Sequence, residues 1–152
     1  DGSPCAEDLC SIKGRIYNWA AAQEACTDGW HVPTREEWRT LFDNIGGIDS
    51  AGYRLKADSG WTSINPGQLA NGSDDCGFEL LPIPTEALSQ SYNPKKYDGY
   101  IAQFWTSSPN IYKDNPGIVP MMPIVHFETQ NIYVIEKEDF QEKQFSVRCL
   151  RD

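Results

Sequence analysis

The spacing of apolar residues changes near residue 50, and this change predicts the fold class. Before it, four apolar residues follow one another at i, i+3, i+4 and i+7, the spacing of a helix face: Trp38, Leu41, Phe42 and Ile45. After it, apolar residues form short or alternating runs typical of strands, at 78–83, 100–107, 121–128, 131–136 and 144–150. Helices followed by strands predict an α+β domain with an antiparallel sheet.

The clearest local signal is a helix start in the segment Pro33–Trp38. Thr34 and Glu37 can form a capping box, in which each side chain accepts a hydrogen bond from a backbone amide of the new helix. The glycine pair at 46–47 is a stop signal. We therefore predict a helix over about 35–45.

A shorter helix is predicted near 19–27. Asn18 is a suitable N-cap, and Gly29 ends the pattern. Cys26 follows Trp19 by seven residues, which places it on the inward face of this helix.

We predict a single domain over residues 14–152, preceded by an irregular arm at 1–13. A hairpin turn is expected at 129–131, between strands at 124–128 and 132–135.

Charge restricts the partners. The 152 residues include 13 basic and 22 acidic residues, which gives a net charge of −9. A phosphate backbone or an anionic membrane would be repelled, and Lys95-Lys96 is the densest basic spot. No apolar run reaches the roughly 18–20 residues of a membrane span. We therefore expect no nucleic acid partner and no membrane span in this chain.

Five cysteines are present, without any Cys-x-x-Cys pair, and the two histidines are far from metal-ligand spacing. Disulfides are therefore favoured over a zinc site, and they imply an oxidising compartment. Cys5 and Cys10 are candidates for a local bridge in the arm. Cys76 follows two aspartates, which do not favour an activated thiolate.

Short motifs follow one another along residues 14–152. They are Tyr17–Ala22, Ala25-Cys26, Gly29–Thr34, Glu37-Trp38, Gly46-Gly47, Ala51-Gly52, Leu55-Lys56, Ser59–Trp61, Gly77-Phe78, Leu81-Pro82, Phe104–Ser108 and Phe145–Asp152. Their order and spacing resemble the Fibrobacter succinogenes major paralogous domain, found in exported proteins and lipoproteins of Bacteroidetes and relatives. The resemblance implies a location outside the cell or at its surface.

Two segments also resemble formylglycine-generating enzymes. Residues 31–38 (HVPTREEW) are similar to their "RLPTEAEWE" segment, and residues 146–149 (SVRC) to their terminal "GFRC". Both groups are regarded as variants of the C-type lectin fold. The resemblance therefore implies two helices packed on a twisted antiparallel sheet, with long loops and with the chain ends together. It does not supply a function.

The same resemblance, together with an inward phase for both residues, favours a disulfide between Cys26 and Cys149. C-type lectin-like folds often join the first helix to the last strand at these places. Two buried free thiols are the alternative.

Tyrosine and asparagine concentrate around residues 88–117, the composition of adaptable binding loops. The candidate ligand contacts are Tyr92, Asn93, Tyr97, Tyr100, Trp105, Asn110, Tyr112 and Asn115. Trp105, where strand becomes loop, is expected either to anchor the loop floor or to join the contact. The alternative for the tyrosines is that they only cover the sheet edge.

These features predict a non-catalytic extracellular binding or adhesion module that recognises a glycan or a protein, with no catalytic residue and no cofactor. The alternative is a formylglycine-generating-type enzyme, for which Cys76 is the candidate thiol.

The segment Asn71–Asp75 contains several oxygen ligands of the kind that calcium prefers, but a solvated turn is the simpler interpretation, and we predict no metal site. His31 is expected to be hydrogen-bonded and structural, and His126 is given no special role.

Overall fold

The computed structural model describes residues 15–63, 70–82, 99–108, 121–126, 132–136 and 144–152. Within these ranges the chain is α+β, with short helices and small antiparallel sheets. The helices are α1 (Trp19–Gln23), α2 (Arg35–Asn44) and α3 (Ile48–Leu55). The strands are β1 (Ile16–Tyr17), β2 (Trp30–His31), β3 (Ile101–Gln103), β4 (Met121–His126), β5 (Ile132–Glu136), β6 (Phe145–Ser146) and β7 (Leu150–Arg151).

Helix α1 begins as predicted and ends early. The Asn18 side chain accepts a hydrogen bond from the Ala21 amide at 2.8 Å, which confirms the N-cap. The helix ends at Gln23, so Cys26 lies beyond it and the predicted span of 19–27 is too long. This five-residue helix is stabilised by its N-cap and by the burial of Ala22. It lacks the continuous apolar stripe that would stabilise a longer helix.

Helix α2 confirms the capping box. The Glu37 amide donates to Thr34 Oγ1 at 3.2 Å, and the Thr34 amide donates to Glu37 Oε2 at 2.8 Å. At the other end, Gly46 adopts a φ of 99° and the Gly47 amide donates to the Phe42 carbonyl at 2.8 Å. Thr34 and the two glycines thus start and stop the helix within one residue of the predicted span.

Helix α3 was not predicted, and the expectation that the helical pattern disappears after residue 50 is wrong. Ile48, Ala51 and Leu55 have the helical spacing of i, i+3 and i+7, but Gly52 interrupts the pattern with a poor helix former. The N-cap is Gly47, which supplies no side-chain hydrogen bond. The buried positions Ala51, Gly52 and Leu55 show that tertiary packing stabilises this helix.

The strands form three antiparallel groups in the described ranges. β1 pairs with β6, β2 pairs with β7, and β4 lies between β3 and β5. The predicted hairpin strands are confirmed, because β4 and β5 pair from Met121↔Glu136 to Val125↔Ile132. The turn predicted at 129–131 lies outside the described residues.

The last predicted strand, 144–150, is not continuous. β6 pairs with β1 and β7 pairs with β2, and residues 147–149 between them belong to neither ladder. Two different partner strands therefore divide one alternating run. The run at 78–83 contributes an isolated parallel bridge between Leu80 and Lys56 instead of a strand.

Two groups of buried side chains lie on opposite sides of β3 and its continuation. The large cluster contains Trp38, Phe42, Ala51, Leu55, Trp61, Ala70, Leu80, Ala102 and Phe104. The small cluster contains Ala22, Val32, Trp105 and Phe145. Ala102 and Phe104 face the large cluster while Trp105 faces the small one, as the alternation of an extended chain requires.

Cys26 and Cys149 form a disulfide, as expected. It joins the turn after α1 to the segment between β6 and β7, beside the small cluster. The arm at 1–13, with its candidate pair Cys5 and Cys10, lies outside the described residues.

Candidate functional site

The segment Gly99–Ser108 lies between the two stretches that hold most of the predicted ligand contacts. Six of those contacts lie outside the described residues: Tyr92, Asn93, Tyr97, Asn110, Tyr112 and Asn115. Tyr100 and Trp105 are described. The geometry of Gly99–Ser108 therefore shows how the ends of both stretches are positioned.

The first end of this segment is fixed at Gly99. Its carbonyl accepts a hydrogen bond from the Thr62 amide at 2.9 Å. Gly99 has a φ of 86°, and a Cβ at this position would overlap the Thr62 side chain. Both conditions require glycine here. The next residue, Tyr100, is half-buried and packs against the large cluster.

The second end is fixed to the start of α2. The Ser107 amide donates to the Pro33 carbonyl at 2.9 Å, and Ser108 Oγ accepts from the Arg35 amide at 2.8 Å. Thr106, immediately before them, is buried. The N-terminus of α2 therefore has two roles, because it caps a helix and holds the point at which the segment 109–120 begins.

Trp105 fixes the middle of the segment and is a core residue. Its side chain is 0 % exposed. The indole Nε1 donates to the Tyr17 carbonyl at 2.6 Å, and the ring packs edge-on against Phe145 with centroids 4.6 Å apart. Of the two roles expected for Trp105, anchor of the loop floor or ligand contact, this burial supports the anchor.

A buried lysine lies against Trp61, the residue before Thr62, and it was not among the predicted site residues. Lys56 is 2 % exposed, with Nζ 5.0 Å from the centroid of the Trp61 ring and 3.5 Å from the Ala70 carbonyl oxygen. Burial lowers the pKa of its amine to about 8. Trp61 itself is held because its Nε1 donates to the Leu80 carbonyl at 2.8 Å. The Lys56 ammonium group, which is costly to bury, therefore lies against the ring of Trp61, the residue before Thr62.

His31 is hydrogen-bonded through both ring nitrogens, as expected. Nδ1 lies 2.6 Å from Asp152 Oδ1, and Nε2 lies 2.9 Å from Glu37 Oε1. The Asp152 contact, followed by that of Glu37, raises the pKa of His31. The hydrogen bond from the Thr34 amide contributes most to lowering the pKa of Glu37. The sequence did not identify either carboxylate partner.

The oxygen-rich segment Asn71–Asp75 uses its side chains within the protein. Asn71 Oδ1 accepts from the Trp61 amide, Asp74 Oδ1 accepts from the Glu79 amide, and Asp75 pairs with Arg54 at 3.4 Å. In the part of the chain that the structure describes, no group of three or more His, Cys, Asp or Glu residues is arranged to hold a metal ion. The neighbouring Cys76 is a free, exposed thiol.

These features define a class of protein: a small disulfide-braced α+β domain in which a fixed segment lies between two predicted loops. The family model of the Fibrobacter succinogenes major domain matches residues 5–151, and the chain belongs to this family. No curated protein and no solved structure matches the chain. Within the described ranges, none of the helices is both long enough and apolar enough to cross a membrane.

Proposed function

We propose that this domain is a non-catalytic extracellular binding or adhesion module of a bacterial surface or secreted protein. It recognises a glycan or a protein through the predicted loops on either side of Gly99–Ser108. The observation that carries the proposal is the attachment of this segment at both ends, to Thr62 and to the start of α2. Binding residues are commonly placed on loops that a rigid scaffold positions.

The composition of the two stretches supports the same proposal. Residues 83–98 and 109–120 contain the six candidate contacts that flank the segment. Tyrosine supplies stiff contact area at a low cost in conformational entropy, and asparagine supplies adaptable hydrogen bonds. The stretch 83–98 begins after the buried Pro82 and ends at Gly99, so both of its ends are attached to buried residues.

Charge narrows the ligand class. The chain has a net charge of −9, which disfavours polyanionic ligands such as nucleic acids or heavily sulfated glycans. A neutral or basic glycan or protein surface is therefore the preferred ligand.

The proposal includes a C-type lectin-like fold, related to that of formylglycine-generating enzymes. Its support is the position of all three described helices before strands β3 to β7, the pairing of β1 with β6, and the Cys26–Cys149 disulfide. The disulfide also supports an oxidising location, such as the cell surface or the surrounding medium, where a lipoprotein or secreted protein would work.

The test is a binding screen against panels of glycans and bacterial or host surface proteins, followed by alanine variants. Tyr97→Ala and Tyr112→Ala should weaken binding, and a hot spot should cost at least about tenfold in Kd. The matched control is Tyr53→Ala, because Tyr53 is an exposed tyrosine on α3 and belongs to neither of the stretches 83–98 and 109–120. Tyr100→Phe is preferred to Tyr100→Ala, since Tyr100 packs against the large cluster.

Unchanged binding by both loop variants would place the site elsewhere. A calcium-dependent loss of binding on substitution within 71–75 would then indicate that segment as the site.

Thiol labelling of the native protein distinguishes the binding module from the enzyme alternative. A formylglycine-generating-type enzyme requires a reactive cysteine. If the protein is such an enzyme, Cys76 should react with the label and Cys76→Ser should abolish formylglycine formation, whereas Tyr97→Ala and Tyr112→Ala need not affect it.

A further inference from the structure

We propose that His31, Glu37 and Asp152 form a pH-sensitive clamp, which ties the β2–β7 ribbon to the start of α2 while His31 is protonated. The clamp loosens when the proton is lost. The clamp consists only of described residues and is independent of any ligand that the loops bind.

The hydrogen-bonding capacity of the imidazole ring determines which protonation state of His31 fits its two contacts. Each imidazole nitrogen faces a carboxylate oxygen, at 2.6 Å for Asp152 and 2.9 Å for Glu37. Ionised carboxylates only accept hydrogen bonds, and a neutral imidazole has only one N–H to donate. The doubly protonated imidazolium alone satisfies both contacts. The geometry therefore favours the charged form of His31.

The two carboxylates are not held equally. Glu37 Oε2 accepts from the Thr34 amide and from the Thr34 hydroxyl, so Glu37 cannot turn away without breaking the capping box. The Asp152 side chain is 61 % exposed, and its backbone amide donates to the Gly29 carbonyl at 3.1 Å. Loss of the proton should therefore release Asp152 and leave Glu37 in place.

The other nearby charges do not replace these contacts. Arg35, on the first turn of α2, pairs with Glu36 at 3.4 Å. Arg151 is opposite Trp30 in the ribbon register, so alternation places it on the other face from His31. Glu37 from α2 and Asp152 after β7 are the charged groups in contact with His31 among the described residues.

The extent of the opening is limited. β2 and β7 share only two residue pairs, Trp30↔Arg151 and His31↔Leu150, so the ribbon has few other contacts to hold it. Cys149 lies one residue before β7 and remains bonded to Cys26. The covalent bond retains the ribbon while its end separates from α2, and the device is therefore a local clamp.

The direction of the pH dependence follows from the two carboxylate contacts. Raising the pKa of His31 above 6.5 stabilises the closed clamp fully below that pH, and the stabilisation is lost as the pH rises through the raised value. Lowering the pKa of Glu37 below 4.5 gives stabilisation above that pH, which is lost as the pH falls through the lowered value. The clamp should be strongest between these two limits.

The experiment measures the ring titration of His31 by NMR, together with the solvent-exchange protection of the Asp152 amide, over the same pH range. We expect His31 to titrate above 6.5 and the Asp152 protection factor to fall through the same midpoint. The fall should be about tenfold for each pH unit that separates the measured pKa from 6.5.

Two variants make the result specific. His31→Gln should remove the pH-dependent fall, and His126→Gln, at the other histidine of the chain, should keep it. Asp152→Asn should move the titration of His31 towards 6.5, and this exposed substitution serves if His31→Gln does not fold. A wild-type His31 that titrates at or below 6.5 would overturn the proposal, as would the same fall in protection after His31→Gln.

Discussion

The two buried clusters are stabilised by different means. The small cluster around Trp105 is bordered by the Cys26–Cys149 disulfide and by the β1–β6 and β2–β7 ribbons, so strands from both ends of the described chain close it. The large cluster gathers side chains from α2, α3 and the segments around residues 61, 70 and 80, and it has the buried amine of Lys56 at its border. The small cluster therefore depends on a covalent bond, whereas the large one depends on packing and contains a destabilising charge.

Removal of the disulfide should give the largest loss of stability. The bridge closes a sequence separation of 123 residues, and the chain-entropy model assigns such a loop about 4–5 kcal/mol. The double variant Cys26→Ser/Cys149→Ser should lower the free energy of unfolding by about this amount in urea denaturation. Cys76→Ser is the matched control, because its thiol is free and exposed, and it should change stability by less than about 0.5 kcal/mol. An equal effect of both substitutions would contradict the covalent bracing of the small cluster.

Truncation of Trp105 tests the packing of the same cluster without touching the covalent bond. Trp105→Ala should cost about 3–5 kcal/mol, because it leaves a cavity and removes the indole donor to the Tyr17 carbonyl. Trp30→Ala is the control, since the Trp30 ring is 46 % exposed, and it should cost much less. If Trp105→Ala fails to fold, Trp105→Phe retains most of the volume and loses the hydrogen bond. Similar costs for Trp105→Ala and Trp30→Ala would contradict the anchor role.

Lys56 tests the large cluster through its pH dependence. The folded protein holds the pKa of this amine at about 8, below its usual 10.5. The unfolded chain therefore binds more protons between these values, and wild-type stability should gain on the order of 2–3 kcal/mol as the pH rises from 7 to 10.5. Lys56→Met has no titrating group there, so the stability difference between the two proteins should shift in favour of the wild type by that amount. A difference that stays constant with pH would show that Lys56 is not desolvated in solution.

Local and distant interactions explain which parts of the fold the sequence predicted. Helix α2 was predicted to within one residue because Thr34 and Glu37 carry its start signal three residues apart. Helix α3 was missed because Gly52 and the uncapped Gly47 give no local signal. The division of 144–150 into β6 and β7 depends on pairing with strands more than one hundred residues away, which alternation along the run does not reveal.

The same distinction applies to the sites. The hydrogen bonding of His31 was predicted from its position before a helix cap, but its partner Asp152 is 121 residues away in the chain. The burial of Lys56 follows from where the end of α3 meets Leu80 and Ala70, and neither contact has a sequence pattern. The disulfide was predicted only with the help of a family resemblance, since five cysteines allow many pairings. The predicted loop contacts outside the described residues remain predictions.

The smallest expected effect is at the helix start that serves both α2 and the segment Gly99–Ser108. Thr34→Ala removes the acceptor of the Glu37 amide and should cost about 1 kcal/mol in the free energy of unfolding. Thr40→Ala is the matched control on the same helix, because Thr40 is exposed and its hydroxyl bonds only to the Glu36 carbonyl within the helix. We expect the control to lie within about 0.5 kcal/mol of the wild type.

Thr34→Ala should also act on Glu37, since the lost hydroxyl donates to Glu37 Oε2. That hydrogen bond favours the ionised carboxylate, so its removal should let the pKa of Glu37 rise towards 4.5. Stability measured from pH 7 down to pH 3 should therefore decline at a higher pH in Thr34→Ala than in Thr40→Ala. If the two variants lose stability at the same acidic pH and have the same urea midpoint at pH 7, the capping box does not hold the Glu37 carboxylate in its ionised form.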